Sequence, residues 1–157
     1  MRAEYLNIFT KSVSSILHEM VCETPEMGKL STGREFTCRA GDVAICFNIT
    51  GALNGRVVLT AGQDCILRIV EKMVQERIDN LDDLARSAIG ELGNMIVANA
   101  TIGLADCGYT CDITPPLMVL GRSAPLPNGS EMRTLVIPFK LSAGEVNVNI
   151  SLSEKTN

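Results

Sequence analysis

A layered α/β fold, with long amphipathic helices packed on a largely antiparallel sheet, is predicted by three features of this sequence. Apolar residues recur at helical spacing over 3–22 and 82–104. The C-terminal run from Val146 to Leu152 instead alternates apolar and polar residues, the period of a strand. Between these segments helices and strands come in blocks, so the sheet is closed by hairpins more than by crossovers.

The first helix spans 3–22, with Tyr5, Phe9, Val13, Ile16, Leu17, Met20 and Val21 on one stripe. Thr24-Pro25 ends it, because proline cannot continue the backbone ladder. Residues 43–49 and 55–60 are rich in β-branched side chains and read as a hairpin turning through Gly51 and Asn54-Gly55. A second helix opens at Gly62-Gln63-Asp64 and runs to about Arg77, with Ile66, Val70, Met73 and Val74 inward. Asp79-Asn80 is placed to cap the third helix, whose positive N-terminal end suits Asp82 and Asp83. That helix ends near Leu104, before Cys107-Gly108. Pro115-Pro116 then interrupts two short extended pieces within 109–120, and Gly121 to Ser130 reads as a loop. Residues 133–140 and 145–152 close the chain as a hairpin, with Asn147, Asn149 and Ser151 on a wet face. Pro138 requires the ladder to break or to lie at an edge, and these last strands offer an edge for a second chain.

The 157 residues suit one domain over 1–157, and 46% hydrophobic positions supply a core of ordinary size. A net charge of −4 and only six aromatic residues argue against nucleic-acid binding, which relies on basic patches and stacking. The longest apolar runs fall short of the roughly 20 residues that span a bilayer, so no membrane partner is expected. Met1 leads straight into an amphipathic segment with Arg2, Glu4 and Lys11, unlike a secretory leader. The six cysteines lack any Cys-x-x-Cys pair and read as reduced and mostly buried, in a cytoplasmic protein. His18 is the single histidine, which leaves little for histidine-based catalysis or metal binding.

The third helix carries the unusual pattern. Projected at about 100° per residue, Leu84, Ala88, Ile89, Leu92, Met95, Ile96 and Ile102 fall in one broad arc, the expected core face. Ser87, Glu91, Asn94 and Ala98 line one ridge outside that arc, flanked by Gly90, Gly93 and Thr101. A ridge of small residues with one carboxylate and one amide is not an ordinary solvent face, and each interior glycine costs the helix about 1 kcal/mol. The plain alternative is a helix packed on both sides, with Glu91 and Asn94 merely solvated. Asn99 projects into the core arc, where it would satisfy neighbouring backbone groups.

Within SAIGELGNMIVANA, Ser87-x-x-x-Glu91-x-x-Asn94 resembles the motif of the CheC/CheX/FliY chemotaxis phosphatases, most closely its CheX-like branch. The resemblance also takes in ITGALNGRVVL (49–59) and DITPPLMVLG (112–121), and so covers most of the chain. Ala98 departs from the glycine of many relatives and would narrow a partner's approach. The family also implies a pseudo-repeat of two halves. Ser15-x-x-x-Glu19-x-x-Cys22 repeats the motif's spacing without its amide, either as a degenerate copy or by chance.

The resemblance implies a phosphatase acting on the phospho-aspartate of a CheY-like response-regulator receiver domain. Asn94 would orient the attacking water and Glu91 would dock to the receiver's active-site lysine. Ser87, Gly90 and Ala98 would border the partner. No cofactor of the chain's own is implied, with Mg2+ expected in the receiver, and a homodimer is implied as the assembly. The alternatives are a non-catalytic adaptor that binds a receiver or flagellar-switch partner through the same helix, and a small-ligand or structural module whose ridge is a dimer contact.

Overall fold

The computed structural model describes residues 2–33, 36–121, 124–126 and 132–155. Three helices, α1 (Ala3–Val21), α2 (Gln63–Val74) and α3 (Asp83–Asp106), pack on one face of an antiparallel sheet. The strands in chain order are β1 (Glu26–Met27), β2 (Ser31–Gly33), β3 (Phe36–Cys38), β4 (Asp42–Gly51), β5 (Leu53–Gly62), β6 (Cys111–Ile113), β7 (Leu117–Leu120), β8 (Ala124–Leu126), β9 (Thr134–Leu141) and β10 (Gly144–Glu154). The main sheet runs β1-β9-β10-β5-β4-β6, with β2 also on β9 and β7 also on β4, while β3 and β8 form a separate ribbon. The layered α/β expectation is met.

Several local expectations are corrected. The β4–β5 connection turns at Gly51, with φ +124, and Ala52, whereas Asn54 and Gly55 lie inside β5. Gly55 is required for another reason: a Cβ there would lie 1.8 Å from the Ser151 carbonyl oxygen of β10. The cap of α3 is Asp82, whose Oδ1 accepts from the Ala85 amide at 2.9 Å, while Asp79 pairs with Arg77 at 3.0 Å. Strands β1, β2 and β3 occupy a stretch for which the sequence predicts no element. The supposed loop over 121–130 contains β8; residues 122–123 and 127–130 lie outside the described part.

The C-terminal hairpin forms as expected, but β10 is an interior strand between β5 and β9. The outer side of β9 is itself taken by β1 and β2, so these strands offer no continuous edge. Pro138 falls in the gap between those two partners, where the missing N–H breaks no outer bond, and its carbonyl accepts from Gly28 at 2.8 Å. The supposedly wet face of β10 is largely covered. Asn149 is buried and donates to the Val58 carbonyl at 3.0 Å, and the buried Ser151 hydroxyl lies 2.7 Å from that of Thr134. A second small apolar cluster of Cys38, Ala44 and Val58 occupies this side.

Of the six cysteines, all free, Cys38 and Cys65 are buried, Cys46 and Cys111 half-buried, and Cys22 and Cys107 exposed. The expectation of mostly buried thiols is therefore met by two of them only. Helix ends account for the exposed pair: Cys22 caps α1 in the left-handed region and Cys107 follows α3.

Two polar clusters pin the helices to the sheet. Glu23, just past α1, accepts from the Ser142 amide at 2.6 Å, the Ser142 hydroxyl at 2.8 Å and Lys72 of α2 at 2.8 Å. At the other end of α1, the rings of Tyr5 and Tyr109 meet edge to face at 5.5 Å, and Arg2 bridges Glu154 at 2.7 Å. The Lys72 ammonium and the two Ser142 donors lower the Glu23 carboxyl to about 2, from an ordinary 4.5.

A depressed folded-state pKa contributes stability that is complete above the ordinary value and fades as pH falls towards the lowered one. Glu23→Gln should therefore lower the melting temperature at pH 7, with the difference shrinking as pH drops through 4.5 towards 2. Thermal melts across that range check it. Two glycines of α3 give an opposed pair. A Cβ on Gly93 would lie 3.1 Å from the ring of Phe47, which is fully buried and cannot give way, so Gly93→Ala should cost about 1–3 kcal/mol. A Cβ on Gly90 meets only Pro116 at 3.7 Å, so Gly90→Ala should gain up to about 1 kcal/mol from helix propensity. Urea unfolding of both variants measures the contrast.

Candidate active site

Contacts with the sheet and with α1 set the rotation of α3. At Gly93 the helix backbone comes down on Phe47 of β4 and Leu59 of β5. The buried Ser12 hydroxyl of α1 donates to the Ile96 carbonyl at 2.5 Å, and Ile8 of α1 fills the space beside Gly103. On the other flank Gly90 faces Pro116. The resulting buried arc is Ala85, Ile89, Gly90, Leu92, Gly93, Ile96, Val97, Ala100 and Leu104.

This arc differs from the projected one. Ile89, Leu92 and Ile96 are buried as expected, but Leu84 is 50% and Ile102 62% exposed, and Ala88 and Met95 are half-buried. Asn99 is exposed rather than buried, so it satisfies no core backbone group. Gly93, expected beside the outer ridge, is on the inner side, because its missing side chain lets the helix approach the sheet; Gly90 is buried as well but still lines the open groove.

The proposed site residues nevertheless share the free side of α3. Ser87 and Glu91 are exposed, and Asn94 is half-buried. Ala98 is half-buried one turn further on, and its carbonyl accepts from Thr101 at 2.7 Å. Among the described residues, no hydrogen bond or ion pair engages the side chains of Ser87, Glu91 or Asn94, so all three stand available to a partner. They open on a groove of about 490 Å3, lined on the helix by Arg86, Ser87, Gly90, Glu91 and Asn94. The opposite wall is Ile113, Thr114, Pro115 and Pro116.

That wall is rigid for local reasons. Thr114 and Asn48 of β4 exchange two bonds, Thr114 N–H to the Asn48 carbonyl at 3.0 Å and Asn48 N–H to Thr114 Oγ1 at 2.9 Å. The two prolines that follow have fixed φ. In sequence, Pro115-Pro116 reads only as an interruption of strands; its role as a wall depends on β6 and β7 both pairing with β4. Arg86, at the groove's end, has no signal in the helical pattern either; its Nε donates to the Leu81 carbonyl at 3.1 Å.

Of the first helix's similar spacing, Ser15 and Glu19 are exposed, but Cys22 lies past the helix end at φ 56. It neither continues the ridge nor supplies an amide. His18 is exposed near the end of α1, its Nδ1 3.2 Å from the Thr24 hydroxyl. Among the described residues, no group of three or more His, Cys, Asp or Glu side chains is placed to hold a metal ion. Burial raises the Cys38 and Cys46 thiols and pushes Cys65 up to about 11, which keeps them protonated and poorly nucleophilic. The chemistry this site offers centres on one carboxylate and one carboxamide, a helical turn apart over an open groove that the Ser87 hydroxyl and Arg86 also line.

Residues 43–140 match the sequence profile of the family described as Chemotaxis phosphatase CheX. A CheY-P phosphatase CheX from Thermotoga maritima is 33% identical over 123 residues, which cover 78% of this chain and 79% of that protein. A CheC-like superfamily protein from Shewanella sp. PV-4 superposes with a TM-score of 0.86 at 26% identity, over 98% of this chain and 99% of that one. A chain of the CheX–CheY–BeF3–Mg2+ complex from Borrelia burgdorferi gives a TM-score of 0.81 at 28% identity, over 98% of this chain and 100% of that one. With the profile spanning its central strands and α3, and the fold matched almost end to end, this chain belongs to the CheX family of chemotaxis phosphatases.

Proposed function

We propose that this protein accelerates hydrolysis of the phospho-aspartate of a CheY-like receiver domain, using Asn94 and Glu91. The observation that carries the reading is the unpartnered carboxylate and amide on the free side of α3, in a chain of this family.

An aspartyl phosphate is an acyl phosphate and already reactive, so its hydrolysis needs an in-line water and stabilisation of the phosphoryl charge. In the reaction the water oxygen bonds to phosphorus as the bond to the aspartyl oxygen breaks. Aspartate leaves as a carboxylate, and the water's proton passes to the phosphate product or to solvent. The Asn94 carboxamide can accept from the water through Oδ1 while its NH2 group donates, which fixes the water's orientation. Glu91 pairs with the receiver's active-site lysine, docking the helix and drawing that lysine from the phosphoryl group. Ser87, Gly90 and Ala98 border the contact, with Gly90 adding no side chain to the groove. The Mg2+ belongs to the receiver, and the chain needs no cofactor of its own.

The protein acts as a cytoplasmic homodimer in this reading. Six free thiols suit a reducing compartment. Dimer pairing falls to the outer edges at β6–β7 or β1–β2, because β10 is interior.

Single-turnover loss of the receiver's acyl phosphate, with and without this protein, separates a phosphatase from an adaptor. Asn94→Ala should slow the accelerated rate about 100-fold or more while leaving the fold intact; full activity in this variant would refute the mechanism. Glu91→Ala and Glu91→Lys should raise KM, and Glu91→Ala should flatten its rise with added salt, since an exposed ion pair is screened. An unchanged KM and salt response in both would remove Glu91 from the docking role.

A further inference from the structure

We propose that Leu84 and Ile102 are recognition posts that clasp the receiver on either side of Glu91 and Asn94, an inference that rests on the function proposed above. Both are large apolar side chains left in water, 50% and 62% exposed, on the same helix as the acid and the amide. By composition α3 is apolar and long enough to cross a membrane, yet it is a core helix. Beside its buried arc the helix keeps these two large apolar side chains in water, among the exposed polar neighbours Arg86, Ser87, Glu91 and Asn99. Met95, half-buried, lies between the posts at nearly the same azimuth.

The spacing identifies the occupant. Leu84 and Ile102 are 18 residues apart, five full turns, so they share one azimuth and stand about 27 Å apart along the axis. Glu91 and Asn94 lie between them, about 20° and 80° around the helix. A standard protein interface covers about 800 Å2 on each partner, a disc about 32 Å across. A domain centred on the catalytic pair therefore covers both posts, whereas a small ligand in the groove reaches neither. Apolar contacts at that distance from the centre exclude water from the docked acid and amide, and strengthen the ion pair that Glu91 makes.

The test is a KM–kcat split with a CheY-like receiver phosphorylated by a small-molecule phosphodonor in Mg2+. Leu84→Ser with Ile102→Ser should raise KM about tenfold, with kcat at saturation retained. Met27→Ser serves as the control: Met27 is 46% exposed on β1, at the sheet edge opposite β6 and the groove wall, and should leave KM unchanged. An unchanged KM in the double variant, with Asn94→Ala still slowed as predicted, overturns the posts and leaves the phosphatase standing. Should the unmodified protein not accelerate phosphate loss, titration of the same phosphorylated receiver decides separately: tenfold weaker binding by the serine pair supports the posts, and equal binding overturns them. Loss of self-association by the serine pair with receiver binding intact assigns the posts to a second copy and also overturns the proposal.

Discussion

The close seating of α3 on the sheet is the constraint from which the rest of the site follows. With no side chain at Gly93, the helix backbone descends onto Phe47 and Leu59, and these two fill the space a Cβ would need. The Ser12 hydroxyl, taking the Ile96 carbonyl as its acceptor, stops the helix from rolling towards α1, and Pro116 stands against Gly90 on the other flank. A helix held by the sheet below and by α1 beside it has one rotation. That rotation puts Glu91 and Asn94 on the open side and leaves Leu84 and Ile102 in water.

The periphery protects this arrangement. Glu23 gathers α1, α2 and the β9–β10 turn around one carboxylate, while Tyr5, Tyr109, Arg2 and Glu154 join the start of α1 to the end of β10. Such exposed ion pairs contribute little singly, and their weight lies in joining segments distant in sequence. Burial of the central apolar residues of all three helices against β4, β5, β9 and β10 supplies the main driving force.

A site with so few reactive groups is chemically coherent with its proposed substrate. The acyl phosphate carries its own activation, and the receiver brings its own metal and lysine. A water held by an amide and a helix held by a carboxylate complete what that chemistry lacks. The rigid wall of Thr114, Pro115 and Pro116 matters for the same reason, since positioning rather than reactivity is what the chain has to offer.

Much was legible from the sequence because it depends on local spacing. The three helices, the long β4–β5 and β9–β10 hairpins, and the placement of Glu91 and Asn94 one turn apart follow from periodicity, turn residues and the geometry of a helix. The rotation of α3 was not legible, because its apolar residues form two competing arcs. One runs through Leu84, Met95 and Ile102 and the other through Ala85, Ile96 and Leu104, and hydropathy favours the bulkier set. Tertiary contact decided for the arc containing the glycines, since close packing rewards the face that lets the backbone approach. The groove wall, the short strands β1 to β3 and the interior place of β10 were decided in the same way, by pairing between segments far apart in the chain. Sequence by itself determined which side chains the ridge carries; the fold determined what stands opposite them and what is left exposed beside them.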